Sequence, residues 1–225
     1  MTGQFRDIAV VLLSGGMDSC VAAAWAAQNH DLALIHLTYG QRTLVRERRA
    51  FDDIANHYGV PDSRRLVVDT NFLARIGGSA LTDSSIPVPG AHTHGLDVPL
   101  TYVPFRNAHL IAMGVSWAEV LGAKTVAIGV IEEDSAGYPD CTQAFMTAFN
   151  RAVQEGAAAP PSIVTPVIHL SKADVLRMGN ELEAPMHLTW SCYQNDDIAC
   201  GTCDSCRRRN QAFEEAGLID PIASI

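Results

Sequence analysis

Apolar residues recur along the chain in two alternating patterns. Short apolar runs at Ile8 to Leu13, Leu32 to Leu37, Arg65 to Asp69 and Lys124 to Val130 read as strands. Between and after them, helical spacing marks Ser19 to Gln28, Thr43 to Tyr58, Arg106 to Leu121, Gln143 to Gln154 and Lys172 to Leu182. In the third of these helices Ala108, Ile111, Ala112, Val115, Ala118 and Leu121 trace one stripe, which belongs to a core. Strands alternating with helices predict an α/β, Rossmann-like fold: a parallel sheet with helices on both faces. Residues 77 to 104, rich in proline and glycine and poor in periodicity, read as a long connection of the kind that forms lids. A Gly/Ala/Pro break from Gly156 to Pro161 precedes an apolar run at Ile163 to Val167.

The first strand runs directly into Ser14-Gly15-Gly16-Met17-Asp18-Ser19. Two glycines let the backbone turn tightly and approach a ligand, and the N–H groups opening the next helix carry the positive end of its dipole. Strand, turn and helix start therefore form an anion cradle. The spacing is not that of a Walker A loop, a dinucleotide-binding loop or a nucleophile elbow. An ordinary turn with Asp18 or Ser19 as N-cap is the simpler alternative, but it requires one glycine and one cap, not this whole string.

In an open α/β sheet a ligand lies beyond the carboxyl ends of the strands. That rule brings three further groups to the cradle. Tyr39, Gln41 and Arg42 follow the second strand and could line a nucleotide, or form a plain polar loop. Arg106 and Asn107 open an apolar helix, where a guanidinium fork suits a carboxylate and N-capping is the competing role. Glu133, Asp134, Tyr138, Asp140 and Cys141 follow the fourth strand and face the same crevice. Lys172, at a helix start, is a flexible point charge for phosphate, or a solvated lysine.

Composition narrows the class. The chain has 225 residues, 48% of them hydrophobic, and a net charge of −9. No run approaches the ~20 apolar residues of a membrane span, and the start lacks the basic and apolar regions of a signal peptide. A soluble, cytoplasmic protein without membrane contact is expected. The negative charge disfavours a nucleic-acid partner, although Arg46, Arg48, Arg49 and Arg207 to Arg209 could form local basic patches. Of the six cysteines, Cys192, Cys200, Cys203 and Cys206 crowd one end. Their interlocking C-x-x-C spacings in a reducing compartment predict a closed, structural Zn²⁺ site, with an iron–sulfur cluster as the other candidate for the same ligands. Cys20, in an Ala-rich helix, reads as a small buried residue. The expected organisation is a Rossmann-like, anion-binding domain over 1–185 with a metal-binding appendage over 186–225.

The Ser14 to Ser19 string resembles the SGGxDS loop of the PP-loop ATP pyrophosphatases. Together with YGQR (39–42), VPFRNAHL (103–110), SAGYPDC (135–141), LSKAD (170–174) and TWSCY…CGTCDSCRRR, it makes the chain similar to the 7-cyano-7-deazaguanine synthase family. The resemblance runs from Val10 to Pro221. Two departures stand out: EDSAGYPDC where many members have DYSGYPDC, and Phe105 where many have Gly or Ala. The resemblance implies ATP-dependent conversion of 7-carboxy-7-deazaguanine and ammonia to the 7-cyano compound, for queuosine precursor synthesis, in a homodimer with one structural Zn²⁺ per chain and Mg²⁺ with the ATP. It implies an ATP-binding segment of Leu13, Ser14, Gly15, Gly16, Met17, Asp18, Ser19, Cys20, Val21, Ala22 and Ala23, joined by Tyr39, Gln41 and Arg42. Asp18, Lys172, Arg106 and Asp134 would serve catalysis, and Arg106, Asn107, Asp134, Tyr138 and Asp140 would bind the acid, with Asp134 or Asp140 reading the adjacent N–H donors of its guanine-like edge. A tRNA-thiolating PP-loop enzyme and a nucleotide-binding module without turnover are the rival readings; the acidic balance opposes the first, and the intact loop, Lys172 and YPDC oppose the second.

Overall fold

A computed structural model describes residues 6–88, 98–132 and 137–222. Five strands, β1 (Ile8–Leu12), β2 (Asp31–Thr38), β3 (Arg65–Asp69), β4 (Thr125–Ile128) and β5 (Ser162–Val164), form one sheet in the order β3-β2-β1-β4-β5, and every pairing is parallel. Seven α-helices are described: α1 (Met17–Ala27), α2 (Leu44–His57), α3 (Phe72–Ile76), α4 (Arg106–Leu121), α5 (Gln143–Gly156), α6 (Lys172–Glu181) and α7 (Asp204–Ala216). Among the described residues no helix is long and apolar enough to cross a membrane.

Strand periodicity assigns the two faces. Successive side chains of β1 point to opposite sides, so Val10 and Leu12 join the core beneath α4 and α5, whereas Ala9 and Val11 join that beneath α1 and α2. Ile111, Val115 and Ala118 of the predicted stripe lie in the first core. There the helix comes close because Gly114 has no side chain: a Cβ at that position would lie 2.7 Å from Leu12 Cδ2. A third cluster joins Met17 and Val21 of α1 to Leu176 of α6 and Phe213 of α7, so the C-terminal segment shares its core with the start of the chain.

Boundaries move in two informative places. Helix α1 begins two residues before its expected start because Gly16, with extended backbone angles, occupies the N-cap; no side chain makes a capping bond there. Short α3 escaped the periodicity reading, since five residues do not complete two turns. The long connection after α3 is anchored where it is described. Arg42 donates to the carbonyl oxygens of Ala80 at 2.9 Å, Asp83 at 2.8 Å and Ile86 at 2.7 Å, and Leu81 and Val103 are buried.

Candidate active site

Strand β1 lies beside both β2 and β4, so the chain leaves it in one direction and returns on the other side. Such a switch point opens a crevice at the carboxyl ends of the strands. A cleft of about 270 Å³ lies there. Ser14, Gly16, Met17, Asp18 and Ser19 form one wall, with Leu13 at its base.

The loop is tied by its own hydroxyls. Ser19 Oγ donates to Gly16 O at 3.0 Å and lies 3.0 Å from Ser14 Oγ, which accepts from Gly16 N at 3.3 Å. Gly15 adopts φ +91°, and a Cβ there would lie 2.9 Å from Ala50 Cβ and 3.0 Å from Glu47 O; only glycine suits both the angle and the space. Behind the loop, Cys20, Val21, Ala22 and Ala23 are buried at 0% exposure and do not line the cleft. Burial pushes the Cys20 thiol up to about 12. From below, His36 Nδ1 lies 2.9 Å from Leu13 O, fixing the last carbonyl before the turn.

Lys172 reaches the loop from the start of α6, placing Nζ 2.8 Å from Asp18 Oδ2. Ser171 caps that helix by accepting from Asp174 N at 3.1 Å, which sets where the lysine emerges. Facing it, Arg106 Nη1 donates to Tyr39 Oη at 2.9 Å, with the guanidinium 5.3 Å from the tyrosine ring centroid. Tyr39 N donates to Gln41 Oε1 at 2.8 Å, and Gln41 Nε2 donates to Glu47 Oε2 at 3.0 Å. Thr43 Oγ1 donates to Glu47 Oε1 at 2.8 Å. Burial raises the Glu47 carboxyl above its ordinary value, and these hydrogen bonds partly oppose that rise.

The segment after β4 divides its residues. Tyr138 and Cys141 line the cleft, and Tyr138 Oη lies 2.5 Å from Thr101 Oγ1. Asp140 is turned away from the cleft: its Oδ2 accepts from Asn107 N at 2.9 Å, at the start of α4. Asn107 Nδ2 donates back to Asp140 O at 3.2 Å and to Cys141 Sγ at 3.2 Å. Asp140 thus satisfies a helix N–H, and Cys141 serves as an acceptor. Asp134 lies outside the described residues. Phe105 takes φ +57°, a left-handed angle that favours glycine, and its half-exposed ring packs edge-on against His109 and Phe145.

Several lining residues are not among the expected site residues, although some lie inside the quoted C-terminal motif. Thr101 and Leu81 come from the long connection, Trp190 and Tyr193 from the chain before the second half of the cysteine cluster, and Asp204, Ser205 and Arg208 from α7. Topology alone brings them together. Trp190 N donates to Gly15 O at 2.9 Å, so the C-terminal segment is stitched to the Ser14 to Ser19 loop. Arg209, 3% exposed, holds that segment by donating to Asp220 Oδ2 at 2.7 Å, Asp220 Oδ1 at 2.8 Å and Thr189 Oγ1 at 2.8 Å.

Cys192, Cys200, Cys203 and Cys206 place their sulfurs within 4.8 Å of one another. Backbone N–H groups of Gln194, Asn195 and Cys200 point at Cys192 Sγ from 3.4, 3.3 and 3.4 Å, and Cys203 N points at Cys200 Sγ from 3.3 Å. Such donors stabilise thiolates, and four thiolates at this spacing could hold a tetrahedral metal ion.

Comparison with known proteins agrees with this geometry. The model of the family described as "Queuosine biosynthesis protein QueC" matches residues 8–217. The 7-cyano-7-deazaguanine synthase of Chlorobaculum parvum (strain DSM 263 / NCIMB 8327) is 51% identical over 217 residues, 95% of each chain. That of Koribacter versatilis (strain Ellin345) is 52% identical over 219 residues, covering 95% of this chain and 92% of its own. Among solved structures, the U34-tRNA thiolase NcsA from Methanococcus maripaludis with its [4Fe-4S] cluster aligns with a TM-score of 0.52 and 16% identity, over 95% of this chain and 68% of that one. At that identity the likeness shows the fold.

Proposed function

The chain belongs to the 7-cyano-7-deazaguanine synthase family of ATP-dependent ligases, and we propose that its cleft converts 7-carboxy-7-deazaguanine and ammonia to 7-cyano-7-deazaguanine, with release of AMP and pyrophosphate. The observation that carries this reading is the pairing of an uncapped helix start at Gly16 with Lys172, on a cleft whose other wall holds Arg106. One side suits a leaving pyrophosphate and the other a substrate carboxylate.

A carboxylate resists nucleophiles because of its charge and because oxide is a poor leaving group. Attack of a carboxylate oxygen on the α-phosphorus of ATP forms an acyl-adenylate and expels pyrophosphate. Donors of the Ser14 to Ser19 loop and Lys172 stabilise the charge that gathers on the departing pyrophosphate. Ammonia displaces AMP and gives the amide. The amide oxygen is adenylated in turn, and loss of AMP together with the amide protons leaves the nitrile. The same loop serves both activations.

Arg106 and Asn107 bind the acid, with Tyr138 beside them; Asp134 is the proposed reader of the deazaguanine edge, since Asp140 is engaged at the start of α4. Tyr39, Gln41 and Arg42 border the nucleotide. Asp18 is the proposed ligand of Mg²⁺, which supplies charge neutralisation to the triphosphate when bound. Zn²⁺ is the proposed ion of the cluster, held in a structural site by four sulfurs that lie within 4.8 Å of one another. Six free cysteines support a reducing, cytoplasmic setting, and the acidic net charge supports small-molecule substrates without a nucleic-acid partner. A homodimer completes the reading, on the family resemblance.

Labelling both carboxylate oxygens of the acid with ¹⁸O tests the sequence of steps. Each AMP released should carry one labelled oxygen. Label appearing in inorganic phosphate, with ADP formed, would overturn the reading.

A further inference from the structure

Three acidic side chains line the cleft among the described residues: Asp18, Glu47 and Asp204. Two of them are matched by cations, Asp18 by Lys172 at 2.8 Å and Asp204 by Arg208 at 3.0 Å. Glu47 differs. Its hydrogen-bond donors are neutral, the amide of Gln41 at 3.0 Å and the hydroxyl of Thr43 at 2.8 Å. The Gln41 amide is itself oriented by Tyr39 N, so it presents N–H rather than C=O to the carboxylate. Glu47 is therefore held as an acceptor pair on the cleft wall.

Its position is equally specific. The turn of α2 that carries Glu47 packs against the phosphate loop, with Glu47 O where a Cβ of residue 15 would come within 3.0 Å. The remaining charged lining groups, Arg42, Arg106, Lys172 and Arg208, are cations suited to ATP and an acid substrate. None suits a cationic substrate. A shielded carboxylate whose two hydrogen-bond donors are both neutral favours a small cation as its complement.

We propose that Glu47 is the ammonium-binding residue of this cleft and the acceptor of the proton that turns ammonium into the ammonia nucleophile. The proposal rests on the amide-forming step given above. In that step an N–H bond of ammonium breaks and its proton passes to a Glu47 carboxylate oxygen. The nitrogen lone pair then forms the C–N bond at the acyl carbon, and the C–O bond to AMP breaks with its electron pair on the phosphate oxygen. The new nitrogen releases its second proton to solvent, as Glu47 later does with the first. The raised carboxyl agrees with a proton acceptor, being a stronger base than an ordinary glutamate; Arg106 on α4 opposes that rise and Asp196 adds to it.

The test separates the half-reactions of the full-length, metal-loaded enzyme. Acid-dependent exchange of labelled pyrophosphate into ATP reports adenylation without ammonia. Glu47→Gln should sustain that exchange while its apparent KM for ammonium rises about tenfold or more, the loss expected when a hydrogen bond to a charged group goes. Hydroxylamine, a nitrogen nucleophile uncharged near neutral pH, should form the hydroxamate in Glu47→Gln at close to the wild-type rate. Glu47→Asp should recover part of the ammonium affinity. Equal losses with ammonium and hydroxylamine, a matching fall in exchange, or an altered magnesium requirement for exchange would overturn the proposal. Absence of acid-dependent exchange in the wild-type enzyme would instead overturn the underlying ligase reading.

Discussion

Lys172 Nζ stands 2.8 Å from Asp18 Oδ2 across 154 residues of sequence, joining the start of α6 to the Ser14 to Ser19 loop. The pair keeps a cation beside the loop while leaving it able to exchange its partner for a phosphate oxygen.

Lys172→Met keeps most of the side chain's apolar stem and removes the charge. We expect acid-dependent ATP–pyrophosphate exchange to fall about 100-fold or more, the usual effect of removing one donor from a developing anion, with little change in melting temperature. Unchanged exchange in steady-state assays would remove Lys172 from the chemistry.

The cysteine cluster and the cleft are one piece, because α7 begins beside Cys203 and supplies Asp204, Ser205 and Arg208 to the wall. Elemental analysis should therefore find one metal ion per chain in the wild type and none in Cys203→Ser. The variant should melt about 10 °C lower or more, as loss of several kcal/mol implies, and lose ATP binding with it. Full activity after metal removal would separate the two sites.

Gly129, just beyond β4, lies against the backbone at the start of α1. A Cβ there would lie 2.3 Å from Asp18 O and 2.7 Å from Ser19 N. Gly129→Ala should cost roughly 2–3 kcal/mol of stability, or displace the loop and raise the KM for ATP about tenfold. Gly156→Ala, where nothing lies within 4 Å, is the control. Thermal melts and ATP titration of both variants check this, and an unaffected Gly129→Ala would contradict the packing.

His36 makes stability depend on pH. Burial lowers its pKa below the ordinary 6.5, so the folded ring stays neutral where an unfolded one takes up a proton; Arg48 adds to the lowering and Asp52 opposes it. Below about pH 6.5 the unfolded chain binds more protons, and stability should decline as pH falls toward the folded pKa. Urea melts between about pH 7 and pH 5 should show a shallower decline for His36→Leu than for wild type. Parallel slopes would contradict the burial argument.

How much the sequence reveals varies with the range of the interaction. The turn at Ser14 to Ser19, the strand runs and the cysteine spacing are local, and each is legible because neighbouring residues cause it. Helix α4 spans Arg106–Leu121 as its stripe predicts. Glu47 is different: nothing beside it in sequence marks it, and only the return of Gln41 and Thr43 onto its carboxylate gives it a site. Asp140 looks like a ligand-reading carboxylate in sequence, yet its oxygen accepts from the backbone of Asn107 in another element. Arg208 reads in sequence as part of a local basic patch, yet it pairs with Asp204 on a helix that lines the cleft. Packing between distant segments decides the last two, whereas the partners of Glu47 lie only four and six residues away and the turn into α2 decides it.

On the proposed function, the Ser14 to Ser19 loop activates first a carboxylate and then an amide. Incubation with Mg-ATP, ammonium and 7-carboxy-7-deazaguanine, followed by mass spectrometry with AMP and ADP quantified in the same sample, decides whether it does. Two sequential activations predict the 7-cyano product with about two AMP per nitrile, and transient amide that is consumed when added alone with ATP. ADP in place of AMP, or amide as the end product with about one AMP, would contradict it.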